Sequence, residues 1–177
     1  SITIAREKEM GTMEILLVSP LKAIHIVLGK VAPYLLLSII DAVVILMLGN
    51  LVFDVPIRGS FVVLMFLIVL YIMMALSLGI LISTMANSQM VAMFISGFAL
   101  LLPTMLLSGF IYPIENMPDV LQVVSNLMPA RWFIEALKQV MLKGTGFDFI
   151  WKQVLILLAM TVFFLAMSIK KFRLRLE

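Results

Sequence analysis

Four apolar stretches, near residues 27–53, 61–84, 91–112 and 150–169, constrain this chain more than any other feature, because each is long enough to cross a bilayer as a helix. About 30 Å of hydrocarbon takes roughly 20 apolar residues at helical rise. A helix apolar on every side must lie in lipid or in a core far larger than 177 residues can supply. Charged residues make up only 13% of the chain and gather in short clusters between the apolar runs, too few to coat a soluble domain. The expected fold is all-α: a polytopic membrane helix bundle of four transmembrane helices.

The same composition excludes several functions. With no cysteine there is no disulfide, thiolate metal site or cysteine nucleophile, and with one histidine, His25, there is no histidine-built metal site. The net charge of +3 reads as membrane topology rather than nucleic-acid binding, since the basic residues flank the spans. Four spans put both ends of the chain on one side with the loop near 85–90. That side carries Arg6, Lys8, Lys22, Lys30, Lys170, Lys171, Arg173 and Arg175, against Arg58, Arg131, Lys138, Lys143 and Lys152 opposite. Both ends are therefore expected to be cytoplasmic, with residues 170–177 as a basic tail. The chain opens on Ser1 without an initiator methionine or the apolar core of a signal peptide, and is expected to be a piece of a longer polypeptide.

Two further segments are patterned without being able to span. Residues 113–149 read as a pair of short outer helices, with Pro118 and Pro129 suited to first helical turns and Gly144 to a helix stop. In the second, Trp132, Phe133, Ala136, Leu137, Val140 and Met141 form an apolar face, while Arg131 and Glu135 are spaced for an i,i+4 pair. Such a pair lies at the interface or re-enters the outer leaflet, either as a plain link between spans or as a gate built around Pro113, Trp132 and Phe133. Residues 1–26 hold an amphipathic interfacial helix, with Met10, Met13, Leu16 and Leu17 on one side and Glu7, Gly11 and Glu14 on another, ended by Ser19-Pro20. From physics alone, anchor and docking element are equal readings of it.

Single residues add candidates. Asp41 is the one ionisable residue deep in a span, where a charge costs about 2.5–3.5 kcal/mol on insertion scales. It therefore needs a partner, either substrate or coupling ion, or a polar group on another helix. Phe94, Phe98, Leu101 and Met105 recur at i, i+4, i+7 and i+11, a stripe that either lines an apolar route or packs on lipid and neighbours. Gly97 and Pro103 allow that span to bend, as membrane helices tolerate.

The run Arg6-Glu7-Lys8-Glu9-Met10-Gly11-Thr12-Met13-Glu14-Ile15-Leu16-Leu17-Val18-Ser19-Pro20 resembles the E-R-E-x-G-T-M-E-x-L-L-x-x-P signature of ABC type-2 permeases, membrane subunits of ATP-binding-cassette exporters. Ala5 departs from it where the family usually has an acid. Leu107-Ser108-Gly109-Phe110-Ile111-Tyr112-Pro113-Ile114-Glu115-Asn116-Met117-Pro118, then Pro129-Ala130-Arg131-Trp132-Phe133 and Leu142-Lys143-Gly144-Thr145-Gly146, is similar to that family's outer segment before its last span. The resemblance implies the C-terminal four-span portion of a six-span subunit in a bacterial-type inner membrane. It also implies a partner, a cytoplasmic ABC ATPase contacted through Arg6, Glu7, Lys8, Gly11, Thr12 and Glu14, with the loop at Asn87, Ser88 and Gln89 as a second contact. A second permease copy, as homodimer or related heterodimer, completes the path.

ATP and magnesium then belong to the ATPase. This chain has no G-x-x-x-x-G-K-[ST] loop to cradle phosphate, so it is expected to hold no cofactor and not to be an enzyme by itself. The cargo class is a drug-like compound, a lipid or another solute. The alternatives are a membrane scaffold that moves nothing, or an ion-coupled secondary transporter, against which the lack of internal repeats and of several intramembrane charges counts.

Overall fold

The computed structural model describes residues 23–173; the interfacial helix expected in residues 1–26 therefore lies almost wholly outside the described residues, as does the end of the basic tail. No strand occurs among the described residues, and four helices are long and apolar enough to cross a membrane.

Helix α1 runs Ala23–Phe53, through Pro33 without stopping. Proline removes one backbone donor, which membrane helices tolerate by local adjustment. The helix closes over its own end: Val55 N–H donates to the Gly49 carbonyl at 3.0 Å, and the Asn50 side chain donates to the Val55 carbonyl at 3.1 Å. Asp54 takes a positive φ of 50° in this turn, a conformation that a short polar side chain accepts more readily than a branched one. Helix α2 comes next as Phe61–Met85. It is the hub of the bundle, packing most extensively on the last helix and also on α1.

Helix α3 spans Gln89–Leu107 and opens at Ser88, whose hydroxyl accepts from Val91 N–H at 3.3 Å. Its middle, Ile95–Leu101, is wound as a π-helix between two α-helical ends. The expected span of 91–112 is thus corrected at both ends. Phe110, Ile111 and Tyr112 are apolar enough to read as span, but the chain turns through Gly109, whose φ is 76°, and those three side chains lie exposed on the turn.

A single 3₁₀ turn, Ile114–Asn116, leads to α4 (Asp119–Ser125) and α5 (Pro129–Lys143). Pro118 sits just before α4 and Pro129 at the first position of α5, where the missing N–H costs nothing. Gly144 ends α5 in the left-handed region, its N–H returning to the Gln139 carbonyl. Helix α6 is Phe147–Arg173, longer at both ends than the expected 150–169, because its amphipathic first and last turns continue the helix past the apolar run.

One core holds these parts together. Leu64, Leu67 and Ile68 of α2 meet Ile150, Val154 and Leu157 of α6, and Ala136 and Val140 of α5 complete the cluster. All six residues of the expected apolar face of α5 are in or against this core, so α5 is a packed wedge beside the membrane helices rather than a surface-lying link. The α1–α2 loop is pinned to it: Arg58 N–H donates to the Met141 carbonyl at 3.0 Å, and Gly59 passes so close to Val140 that an added Cβ would sit 2.9 Å from its Cγ1. Farther along, the Ser168 hydroxyl of α6 donates to the Ser77 carbonyl of α2 at 3.3 Å, a polar stitch between two helices that run side by side.

Candidate functional site

Helix α3 differs from the rest of the bundle in how little of it is covered. It touches α2 near its start and the outer helices near its end, leaving most of its length open. Phe94, Phe98, Leu101 and Met105 are all exposed, with Phe98 64% so, and the rings of Phe94 and Phe98 stack with centroids 5.7 Å apart. The π-turn resets the helical register beyond it. Each π-type hydrogen bond takes in one residue more than an α-type bond, so side chains past Leu101 are rotated from where an uninterrupted α-helix would carry them.

The result is an apolar groove of about 630 Å³ at the loop-rich end of α3. From α3 it is lined by Phe98, Leu102, Pro103 and Leu106, and the turn and α4 close it with Tyr112, Met117 and Leu121. Of the stripe read from the sequence, only Phe98 lines it; Phe94, Leu101 and Met105 face elsewhere on the open surface. The i, i+4 and i+8 relation of Phe98, Leu102 and Leu106 was available in the sequence. The contribution of Tyr112, Met117 and Leu121 was not, since it depends on the chain folding back after Gly109.

A second cavity, of about 350 Å³, lies on the other side of the same segment. Ser108, Gly109 and Glu115 form one wall, and Arg131, Glu135 and Lys138 of α5 the other. The expected i,i+4 pair of Arg131 and Glu135 does not form. Arg131 reaches back to α4, its Nη1 donating to Ser125 Oγ at 2.6 Å and to the Gln122 carbonyl at 3.2 Å, bonds to a buried hydroxyl and a backbone carbonyl, while the Glu135 carboxylate stays exposed, where a salt bridge gains little. Lys138 Nζ has one long bond, 3.4 Å, to the Gly109 carbonyl.

The residues expected to gate the outer end are differently placed. Phe133 stacks on Tyr71 of α2 with centroids 4.1 Å apart and planes 12° from parallel, so it locks α5 to α2. Trp132 donates from Nε1 to the Asn126 carbonyl at 2.9 Å, with Arg131 and Lys152 over its ring. Pro113 is exposed on the turn and touches the polar cavity.

Asp41 faces away from α2, while its neighbours Ala42 and Leu46 pack on the core, and it makes no hydrogen bond or ion pair with any described residue. Asn87 and Gln89 sit at the α2–α3 turn, at the opposite end of the bundle from the two cavities. Arg6, Glu7, Lys8, Gly11, Thr12 and Glu14 lie outside the described residues. Among the described residues no cluster of side chains is suited to hold a metal ion.

Comparison with known proteins adds a family. Residues 1–142 match the family model described as ABC-2 type transporter. The probable multidrug ABC transporter permease YbhR of Escherichia coli K12 is 37% identical over 161 residues, covering 91% of this chain and 44% of the relative. The probable multidrug ABC transporter permease YbhS of the same organism is 34% identical over 177 residues, 100% of this chain and 47% of the relative. ABC transporter G family member 20 of Dictyostelium discoideum is 26% identical over 171 residues, 96% of this chain and 23% of the relative. The chain thus spans less than half the length of these relatives. No solved structure matches.

Proposed function

This chain belongs to the ABC-2 type transporter family, and from that membership we propose that it supplies part of the membrane path of an ABC exporter, with the open face of α3 as the wall along which a lipophilic solute moves. The observation that carries the reading is the apolar groove of Phe98, Leu102, Leu106 and Tyr112 on a helix otherwise left bare. A bare apolar helix in a bilayer meets lipid, cargo or a second subunit, and a groove at its end favours cargo. The names of the Escherichia coli relatives, which specify multidrug permeases, agree with a drug-like cargo.

In this reading the protein lies in a bacterial-type inner membrane with both ends cytoplasmic, and two permease copies face each other across α3. A separate ATPase binds ATP and magnesium; the permease is not an enzyme by itself. Residues 6–14 dock on that ATPase, with Asn87 and Gln89 as a second contact at the cytoplasmic α2–α3 turn. Asp41, unpartnered within the described bundle, serves as the counter-charge for a cationic cargo or for a polar group on a helix beyond this chain.

The test is reconstitution of the protein with its ATPase in proteoliposomes, with ATP-dependent movement of a lipophilic cationic dye as the readout. Leu106→Trp fills the groove and should abolish transport while the complex still assembles; unchanged transport removes the groove from the path. Glu7→Lys with Glu14→Lys should release the ATPase. Assembly with the ATPase but no cargo-stimulated hydrolysis for any dye would point to a scaffold instead.

A further inference from the structure

The polar cavity is independent of that path and carries an inference of its own. Its wall presents two cations, Arg131 and Lys138, and two carboxylates, Glu115 and Glu135, yet no ion pair joins them among the described residues. Arg131 spends only Nη1 on α4, leaving its other donors open, and Lys138 keeps all but one long bond. Ser108, 3% exposed, lines the same space, and its hydroxyl makes no hydrogen bond with a described residue.

The four wall charges cancel in sum, so the cavity as a whole favours neither anions nor cations at a distance. It does suit a ligand that carries both signs close together, whose phosphate takes charge-assisted bonds from Arg and Lys and whose ammonium donates to carboxylates. The surroundings say what such a ligand is attached to. Between Gly109 and Pro113 of the cavity wall, Phe110 is 71% and Tyr112 63% exposed, with Ile111 also bare. A tyrosine exposed at the end of a membrane helix, as Tyr112 is, belongs at headgroup depth.

We propose that this cavity binds the phosphoethanolamine headgroup of a phospholipid, with its phosphate toward Arg131 and Lys138, its ammonium toward Glu115 and Glu135, and an acyl chain lying along Phe110 and Ile111. The bound lipid would bridge the turn after α3 to α5, which the long Lys138–Gly109 bond also joins.

Native mass spectrometry of the full-length protein, delipidated in detergent and titrated with phosphatidylethanolamine, phosphatidylglycerol or soluble glycerophosphoethanolamine, tests this without any transport assay. Phosphatidylethanolamine should bind at least tenfold more tightly than phosphatidylglycerol, and Glu135→Gln with Lys138→Gln should remove that preference. Equal binding of the two lipids, or a preference untouched by the double variant, overturns the site and leaves only a lipid annulus. Soluble headgroup binding as tightly as the lipid overturns the lipid source. Should the double variant fail to fold, a photoactivatable phosphatidylethanolamine on the unaltered protein decides: labelling within residues 108–138 supports the site, and labelling confined to α1, α2 or α6 overturns it.

Discussion

Several side chains in this bundle have sharply different tolerances for change. Gly59 and Gly97 are both glycines near a membrane helix, but an added methyl at Gly59 runs into the Val140 backbone, whereas at Gly97 it meets open space. Gly59→Ala should therefore lower the Tm of the detergent-purified protein by several degrees, while Gly97→Ala leaves it within a degree. Equal effects would mean that the α1–α2 loop is not seated on α5. Gln153 tests the opposite sign. It is 5% exposed in the core face of α6, and its Oε1 has no hydrogen-bond partner among the described residues. An unmet buried acceptor costs about 1–3 kcal/mol, so Gln153→Met, close in shape and without that need, should stabilise the protein. A fall in Tm would show that the amide finds a partner in the assembled protein.

The elements divide into those clamped by side chains and those left free. Helix α4 is short and rests on α5 through Arg131 and Trp132, which reach Ser125, Gln122 and Asn126. Arg131→Ala removes two of these bonds, for a loss of about 1–3 kcal/mol, and should raise amide hydrogen exchange across residues 118–127 while α6 stays protected. Uniform deprotection would instead mean that α4 and α6 open as one unit. In α3 the π-turn is the controlling feature. Deleting one residue within Ile95–Leu101 lets a regular α-helix re-form, and Leu102 and Leu106 then turn out of the groove. A Leu106→Cys, the one cysteine within residues 1–177 once introduced, reports this when its labelling is read on the peptide that contains it. Its labelling by a membrane-permeant thiol reagent should change markedly on deletion, and unchanged labelling would show that the π-turn does not set the groove.

For the molecule as a whole, the uneven burial is the main fact. The α2–α6–α5 core is closed, while α1 and α3 offer apolar faces to whatever surrounds them. If two copies meet across α3, cysteine at Phe98 should crosslink copy to copy in native membranes, and cysteine at Leu64, 0% exposed in the core, should not. Absence of any crosslink from α3 would send the second subunit to another face.

The all-α class and the four spans were legible in the sequence, because twenty apolar residues in a row have few other places to go. So were the Pro129 start and the Gly144 stop of α5, which come from one missing N–H and one absent Cβ. The apolar face of α5 was legible too, since its 3.6-residue period survives packing unchanged. The end of α3 was not, because Phe110, Ile111 and Tyr112 have the hydropathy of a span but sit beyond a glycine turn, and hydropathy carries no information on backbone direction. The stripe on α3 was legible only in part: Phe98 lines the groove with Leu102 and Leu106 at steps of four, whereas Leu101 and Met105, chosen at i+7 and i+11 on a 3.6-residue count, face elsewhere because the π-turn changes that count. Arg131 and Glu135 were correctly spaced to pair, yet spacing ranks only partners on the same helix, and the buried hydroxyl of Ser125 lies on another. Local chain chemistry thus determined which segments cross the membrane and where they are capped. Which faces meet, and so where the groove and the charged cavity open, was decided by contacts between residues far apart in the chain, whose pairing no local pattern encodes.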